Sequence, residues 1–377
     1  MERILITGGA GFIGSHIADL LVENGYEVRV FDNLEERVHK KTRPYYLNAH
    51  AEFIEGDVRD YDAIQKALDK VDVVLHYAAA VGVGISMYDV LNFTSTNSVG
   101  TANLLDIIIK NRDKIRMLIV ASSASVYGEL AYRCADHSTV YPKMRTIEQM
   151  DKKQWETRCP ICSKQTTYDL TREDKPKEPT SIYGIGKNDQ EEMCLLIGKT
   201  YGIPSAAFRF MAVYGPRQAL SNPYTGIAPI FIVKLLKNTP PMLYEDGNQV
   251  RDFVHVKDVA RLNLMAIQKE DLKGEAYNVG ISRPLKLADF ARIVAKGMEK
   301  DIEPALFNSY RRGDVRHIVA DITKVRQDLG WEPFISIEDG VMDLLEYVLS
   351  LDRDELTKFV EEHVTTREAA EGKGMRI

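Results

Sequence analysis

The chain has 377 residues, 45% of them hydrophobic and 28% charged, with a formal net charge of −6 at pH 7. This is the composition of a soluble globular protein large enough for an α/β body and a second lobe, and its acidic balance argues against nucleic acid, whose phosphates demand clustered Lys and Arg. No apolar run reaches the length of a membrane span and the first residues lack a signal-peptide pattern, so a cytoplasmic location is expected.

Short apolar runs at residues 4–7, 27–31, 52–55, 71–76 and 117–121 read as strands. Helix-like periods at 14–25, 62–68 and 96–110 separate them. Strands this apolar, alternating with helices, predict an α/β fold with a Rossmann-type doubly wound parallel sheet covered on both faces. Gly8, Gly11, Phe12, Ile13 and Gly14 lie in the turn from first strand to first helix. The three glycines permit a tight turn and let backbone N–H groups approach a pyrophosphate at the helix amino terminus. Asp32, followed by Asn33, ends the second strand. A carboxylate there can bind the adenosine ribose 2′-hydroxyl and would repel a 2′-phosphate, which favours NAD over NADP. Asp57-Val58, after the third strand, falls where adenine contacts would lie. Ala78-Ala79-Ala80, after the fourth, has side chains small enough for a cofactor to approach the backbone, although either set fits ordinary packing as well.

Ser122-Ser123-Ala124-Ser125-Val126-Tyr127-Gly128 follows the fifth strand, at the carboxyl end of the sheet where ligands bind. From about residue 129 to 179 the chain turns polar and irregular, and it carries three of the four cysteines. Cys134 with His137 and Cys159 with Cys162 form C-x2-H and C-x2-C knuckles, a four-ligand set for structural zinc in a small zinc-ribbon-like insertion. A reduced pair with His137 incidental, or a redox-active dithiol, are the alternatives. The position of the insertion suggests a wall or lid over a substrate. Helical spacing resumes at 183–200, where Tyr183 and Lys187 share one face at i, i+4. A phenol titrates near ~10, but a neighbouring ammonium and an oxidised nicotinamide favour the phenolate and suit it to acid–base work. Cys194 on the same helix reads as a core residue.

An apolar strand follows at 206–210. Beyond Gly215 the βαβ rhythm is lost. The expected organisation is an NAD-binding domain over 1–210, with the 129–179 insertion and a return at 247–270. A smaller α/β domain is expected over 211–246 and 271–350, and a charged tail over 351–377.

At these motifs the sequence resembles the extended short-chain dehydrogenase/reductase family, specifically its NAD-dependent nucleotide-sugar epimerases and dehydratases, to about residue 350. The resemblance rests on the glycine loop, Asp32, the 122–128 run, Tyr183 with Lys187, Val213-Tyr214-Gly215-Pro216-Arg217 and Arg251-Asp252-Phe253-Val254-His255-Val256. It implies that Tyr183 is the acid–base, that Lys187 holds it and the nicotinamide ribose, and that Ser123 bonds the sugar hydroxyl, with Ser125 beside it. Asn97 matches a position that orients the lysine through water. Arg217, Arg251 and Arg311 match diphosphate grips, and Asp314 a nucleoside-ribose contact.

Dehydratases of the family place an Asp-Glu pair directly after the catalytic hydroxyl residue, whereas this chain has Ala124 and Ser125 there. Without a carboxyl to protonate a leaving hydroxyl, epimerisation at C4 through a transient 4-keto sugar is expected. The pattern is most similar to the dTDP-L-rhamnose 4-epimerase branch (dTDP-L-rhamnose and dTDP-6-deoxy-L-talose). UDP-glucose or UDP-glucuronate 4-epimerase, an NDP-uronate decarboxylase, and a catalytically idle NAD-sensing scaffold are the alternatives. Ala212 stands where these epimerases usually carry a substrate-touching Asn, for which Asn222 is a substitute. Ile318 replaces a bulky aromatic. A homodimer packed through the 96–110 and 183–200 helices is also implied.

Overall fold

A computed structural model of the chain describes residues 2–219, 226–307, 309–311 and 313–352. Asn222 and most of the expected tail therefore lie outside the described residues. Seven parallel strands form the central sheet: β1 (Arg3–Thr7), β2 (Glu27–Asp32), β3 (Glu52–Glu55), β4 (Val73–His76), β5 (Met117–Ser123), β6 (Ser205–Phe210) and β7 (Lys273–Val279). Their order is β7-β6-β5-β4-β1-β2-β3. Ile4, Leu5 and Ile6 in β1 and Val73, Val74 and Leu75 in β4 are wholly buried, as strands covered by helices on both faces must be. The order reverses between β1 and β4, so the crevice beyond their carboxyl ends is the switch point at which such sheets take ligands.

Three features differ from the sequence expectation. The helix anticipated at 96–110 belongs to a longer helical stretch, Val90–Thr94 and Gly100–Lys110 joined through a π-helical turn at Ser95–Val99. Such a turn inserts one residue and redirects the side chains on it, here Asn97. The second difference is β7, which falls within the span assigned to the smaller domain. It pairs in parallel with β6, from Glu275↔Ala206 to Val279↔Phe210, and completes the main sheet. Third, the return to the first domain begins later than residue 247. Val250–Arg251 pairs antiparallel with Leu285–Lys286 outside the main sheet, whereas the Val256–Ile267 helix packs along the Phe12–Glu23 helix.

The smaller lobe has its own core, built around Phe231, Phe253, Phe290 and Leu344, with Phe253 and Phe290 stacked 4.0 Å apart. Ala320, Val325 and Trp331 return to the main core, and the Trp331 indole donates to the Asp258 carbonyl at 3.0 Å. The insertion is a three-stranded antiparallel sheet of Tyr132–Cys134, Ser138–Val140 and Thr167–Tyr168, with a short helix at Ile147–Asp151. Its buried apolar cluster is only Tyr132, Cys134, Val140 and Cys159 with Cys162 against it, too little to hold some 50 residues without another tie. Among the described residues no helix is long and apolar enough to cross a membrane.

Candidate active site

The glycine loop is built for a ligand that needs bare backbone. Gly8 sits at φ +69°, and a Cβ there would lie 2.7 Å from the Ala78 nitrogen. Gly14 faces Gly8, where a Cβ would come within 2.6 Å of the Gly8 carbonyl. The β1 turn, the first helical turn and the strand tail at Ala78 thus meet with no side chain between them. Asp32 is buried, and its carboxylate accepts from the Ala10 N–H at 3.1 Å and the Leu34 N–H at 2.9 Å. Burial raises its pKa, opposed by the nearby His39 and these backbone bonds. Asn33 donates to Asp57 at 2.8 Å, and Arg59 binds the same carboxylate. Burial opposes ionisation of Asp57, but these bonds outweigh it and pull its pKa down to about 2. Val58 is buried against Gly100, so it packs rather than lining an open surface.

Tyr183 and Ser123 come together at the end of β5. The Ser181 side chain caps the Ile182–Tyr201 helix, accepting from the Gly184 N–H at 3.0 Å, and the first turn carries Tyr183 against the end of β5. The Tyr183 side chain lies beside Ser123. Ser123 Oγ accepts from Ser125 through its backbone N–H at 3.1 Å and its hydroxyl at 2.9 Å. Burial raises the Tyr183 pKa, and the neighbouring Ser123 opposes the rise. The tuning expected from Lys187 does not contribute to this shift. Lys187 is only 3% exposed, and its ammonium donates instead to the Ala121 carbonyl on β5 at 2.9 Å. Desolvation lowers its pKa to about 7. Asn97, fully buried, clamps the strand tail: its amide donates to the Ala80 carbonyl at 3.1 Å and its oxygen accepts from the Ala80 N–H at 2.7 Å.

Two buried networks escaped the sequence reading. His76 at the end of β4 bonds Thr7 through Nδ1 and Thr101 through Nε2, both at 2.8 Å. Burial lowers its pKa to about 3, so the ring is neutral. Thr7 accepts from the Ala78 N–H and Gln190 donates to the Ala78 carbonyl, which fixes the tail running to Ala80 from both sides. The second network joins Glu191 to Arg209 at 2.6 Å, with Ser122 donating to Glu191 at 2.6 Å and Arg209 donating to Tyr127 at 2.6 Å. The available signal was the spacing of Lys187, Gln190, Glu191 and Cys194, which buries mostly polar residues on the inner face of a helix that exposes Ile185 and Leu196. Cys194 is buried in the core as expected, and burial pushes its thiol up to about 12.

Of the three arginines, the structure groups two. Arg251 pairs with Asp314 at 3.7 Å and donates to the carbonyls of Val315 and Arg316. Arg311 starts the same turn, 4.4 Å from the centre of the Tyr244 ring, and its Nε is buried without a hydrogen-bond partner among the described residues. Arg217 has other partners: it pairs with Asp19 on the first helix at 2.6 Å and lies over Tyr46. Ala212 opens the short Ala212–Tyr214 strand, and Ile318 packs against the main core rather than standing free in a pocket.

In the insertion, the donor atoms of Cys134, His137, Cys159 and Cys162 all lie within 4.8 Å of one another. Cys134 Sγ is 3.5 Å from His137 Nδ1 and 3.6 Å from Cys162 Sγ, and Cys159 Sγ is 3.6 Å from His137 Nδ1. A tetrahedral zinc with bonds of ~2.3 Å to sulfur and ~2.0 Å to nitrogen sets its ligand atoms roughly 3.5–3.8 Å apart, so the donor set fits that ion.

Residues 5–144 match the family described as GDP-mannose 4,6 dehydratase, and residues 156–280 match the NAD dependent epimerase/dehydratase family. The chain is 34% identical over 360 residues to a dTDP-L-rhamnose 4-epimerase of Burkholderia thailandensis, covering 93% of this chain and 96% of that one. Among solved structures it resembles a UDP-glucuronic acid 4-epimerase of Bacillus cereus in complex with UDP-glucuronic acid and NAD, with TM-score 0.76, 27% identity and coverage of 93% and 100%. It also resembles a UDP-glucose 4-epimerase of Thermotoga maritima with UDP-glucose, with TM-score 0.74, 31% identity and coverage of 92% and 98%.

Proposed function

The chain belongs to the extended short-chain dehydrogenase/reductase family of NAD-dependent nucleotide-sugar epimerases and dehydratases, as an isomerase of the 4-epimerase type, and from that premise we propose that it inverts C4 of a dTDP-6-deoxyhexose, interconverting dTDP-L-rhamnose and dTDP-6-deoxy-L-talose. The observation that carries this reading is Tyr183 set beside Ser123, which is followed by Ala124 and Ser125, a site with a proton acceptor and no adjacent acid to expel a hydroxyl. NAD, held by the bare loop at Gly8 and by Asp32, supplies the acceptor and donor of hydride when bound. Ser123 holds the C4 hydroxyl, and Tyr183 takes its proton as the carbon is oxidised to the 4-keto sugar. Lys187, fixed on the Ala121 carbonyl, positions the tyrosine and ribose. After the sugar turns over and C4 is reduced on its other face, Tyr183 returns the proton to the C4 oxygen. Arg251 and Arg311 hold the diphosphate and Asp314 the nucleoside ribose.

The test is incubation of the purified protein with dTDP-L-rhamnose, UDP-glucose and UDP-glucuronate, read by NMR and mass. A C4 epimer of unchanged mass from the dTDP sugar supports the reading; the same from a UDP sugar moves the substrate to that rival. A product lighter by carbon dioxide would make it a decarboxylase. Tyr183→Phe should lower turnover by about 10²- to 10⁴-fold with NAD still bound.

We also infer that the four-ligand cluster holds structural zinc, because the apolar cluster around it is small and the donor spacing suits the ion. Metal analysis of protein purified without chelator should give about one zinc per chain, and none would refute the inference. A homodimer is supported by the apolar outer faces of the helices beside the site, where Leu91 is 82% and Leu196 63% exposed. Leu196→Glu should give a monomer by sedimentation, and a wild-type monomer would refute it.

A further inference from the structure

The insertion is bolted to the turn that carries the proposed nucleotide contacts. Glu156 lies three residues before Cys159, at the base of the hairpin whose tip is the second knuckle. That hairpin is held by the Cys159 N–H to the Lys164 carbonyl at 2.8 Å and by Thr157 to Thr166 at 2.6 Å. The Glu156 carboxylate takes Arg316 Nη2 at 2.6 Å on one oxygen and His317 Nε2 at 2.8 Å on the other. Tyr132 lies two residues before Cys134 of the first knuckle. Its hydroxyl donates to Glu129 at 2.6 Å and accepts the His317 N–H at 3.2 Å. Glu129 in turn accepts the Arg316 N–H. Arg145 reaches the Asp314 carbonyl at 2.9 Å and shares Glu245 with Arg316.

Apart from the two bonds within the hairpin, each of these ends on residues 314–317 or on a charge that holds them. Within the same segment, the backbone carbonyls of Val315 and Arg316 seat the Arg251 guanidinium. None of them touches the glycine loop, Asp32 or Tyr183. The side chains of Arg145, Glu129, Glu245 and Arg316 are at most 1% exposed, and Arg316 is held by Glu156, Glu245 and Asp246 together, so removing Glu156 takes away one of its three carboxylates along with the His317 tie and loosens the turn.

We propose that the metal-binding lobe positions the nucleoside-diphosphate site: through Glu156 and Tyr132 it sets Arg251, Arg311 and Asp314 in place, and it does so independently of NAD. Glu156 and Tyr132 are positioning residues that act through 314–317. The proposal rests on the nucleotide-sugar reading above.

The test uses the full-length protein with NAD and metal as purified. Titration calorimetry with UDP and with dTDP, steady-state kinetics, and NAD and zinc content are measured for wild type, Glu156→Gln and Tyr132→Phe, the latter removing a single hydroxyl in case the former misfolds. Expected for Glu156→Gln is an approximately 10- to 100-fold weaker nucleotide affinity and a matching rise in KM, with kcat, NAD and zinc within twofold of wild type. Glu156→Asp should recover part of the loss. Cys159→Ser should lose the metal and reproduce the KM defect while keeping NAD. Nucleotide binding within twofold of wild type in both Glu156→Gln and Tyr132→Phe overturns the proposal, as does parallel loss of NAD and nucleotide. Wild-type protein that binds neither UDP nor dTDP would instead overturn the nucleotide-sugar reading itself.

Discussion

Replacing Lys187 by Met should change how stability depends on pH. In the folded protein the ammonium is desolvated and its pKa falls from 10.5 to about 7. Between those values the unfolded chain binds a proton that the folded chain has shed, so the free energy of unfolding rises with pH. The slope approaches ~1.4 kcal/mol per unit, and between pH 7 and 9 the gain is ~2 kcal/mol. The charged lysine thus penalises the fold most below pH 7, and the penalty is relieved as pH rises towards 10.5. Lys187→Met removes this contribution, so the difference between wild type and variant should shift by ~2 kcal/mol in favour of wild type from pH 7 to 9. Other groups that titrate in this range cancel in the difference. Urea denaturation at several pH values, with NAD at one fixed excess, provides the assay. The protein has two tryptophans, Trp155 in the insertion and Trp331 in the main core, so a Trp155→Phe background makes fluorescence report on the core alone. A wild-type-minus-variant difference that stays flat within ~0.5 kcal/mol would refute a depressed lysine.

Gly8→Ala forces a Cβ against the Ala78 nitrogen at positive φ, and NAD affinity should drop by about 100-fold or more, measured on apo-protein by calorimetry. Glu191→Gln breaks the buried pair with Arg209 and should cost ~3–5 kcal/mol by urea denaturation. The double replacement Glu191→Met/Arg209→Met should recover most of that loss; if it is no better than the single variant, unpaired buried charge is not the cause. Adding a strong chelator should release zinc and weaken dTDP or UDP binding while NAD stays bound, checked by metal analysis and calorimetry on one sample.

The first five strands and the helices between them were legible because each is short, apolar and bounded by glycine or polar residues. Parallel packing gives such runs no other reading. Strand β7 was not, because Lys273-Gly274-Glu275 opens it with polar residues and only its second half is buried at the sheet edge. Tyr183, Lys187 and Ser123 were readable as a set only through motif context, since their spacing alone links no more than Tyr183 and Lys187. Their electrostatics were not legible: spacing on one helix face places Lys187 beside Tyr183, but the strand β5 carbonyl that captures its ammonium belongs to a residue 66 positions away. His76, Gln190 and Glu191 stayed hidden for the same reason, since their partners lie on other strands. Among the arginines, sequence alone could not divide Arg217, which faces Asp19, from Arg251, which faces Asp314.

The late arrival of β7 and Trp331 has a consequence for the protein's birth on the ribosome. Six strands of the sheet are complete by Phe210, yet β6 has no outer neighbour until Val279 is made, and the core lacks its largest side chain until Trp331 follows. At about 5–20 residues per second, the nascent sheet waits roughly 3–14 s with an open edge. During that interval the exposed rim of Ser205–Phe210 is the part of the molecule most open to pairing with a neighbouring chain or to capture by a chaperone.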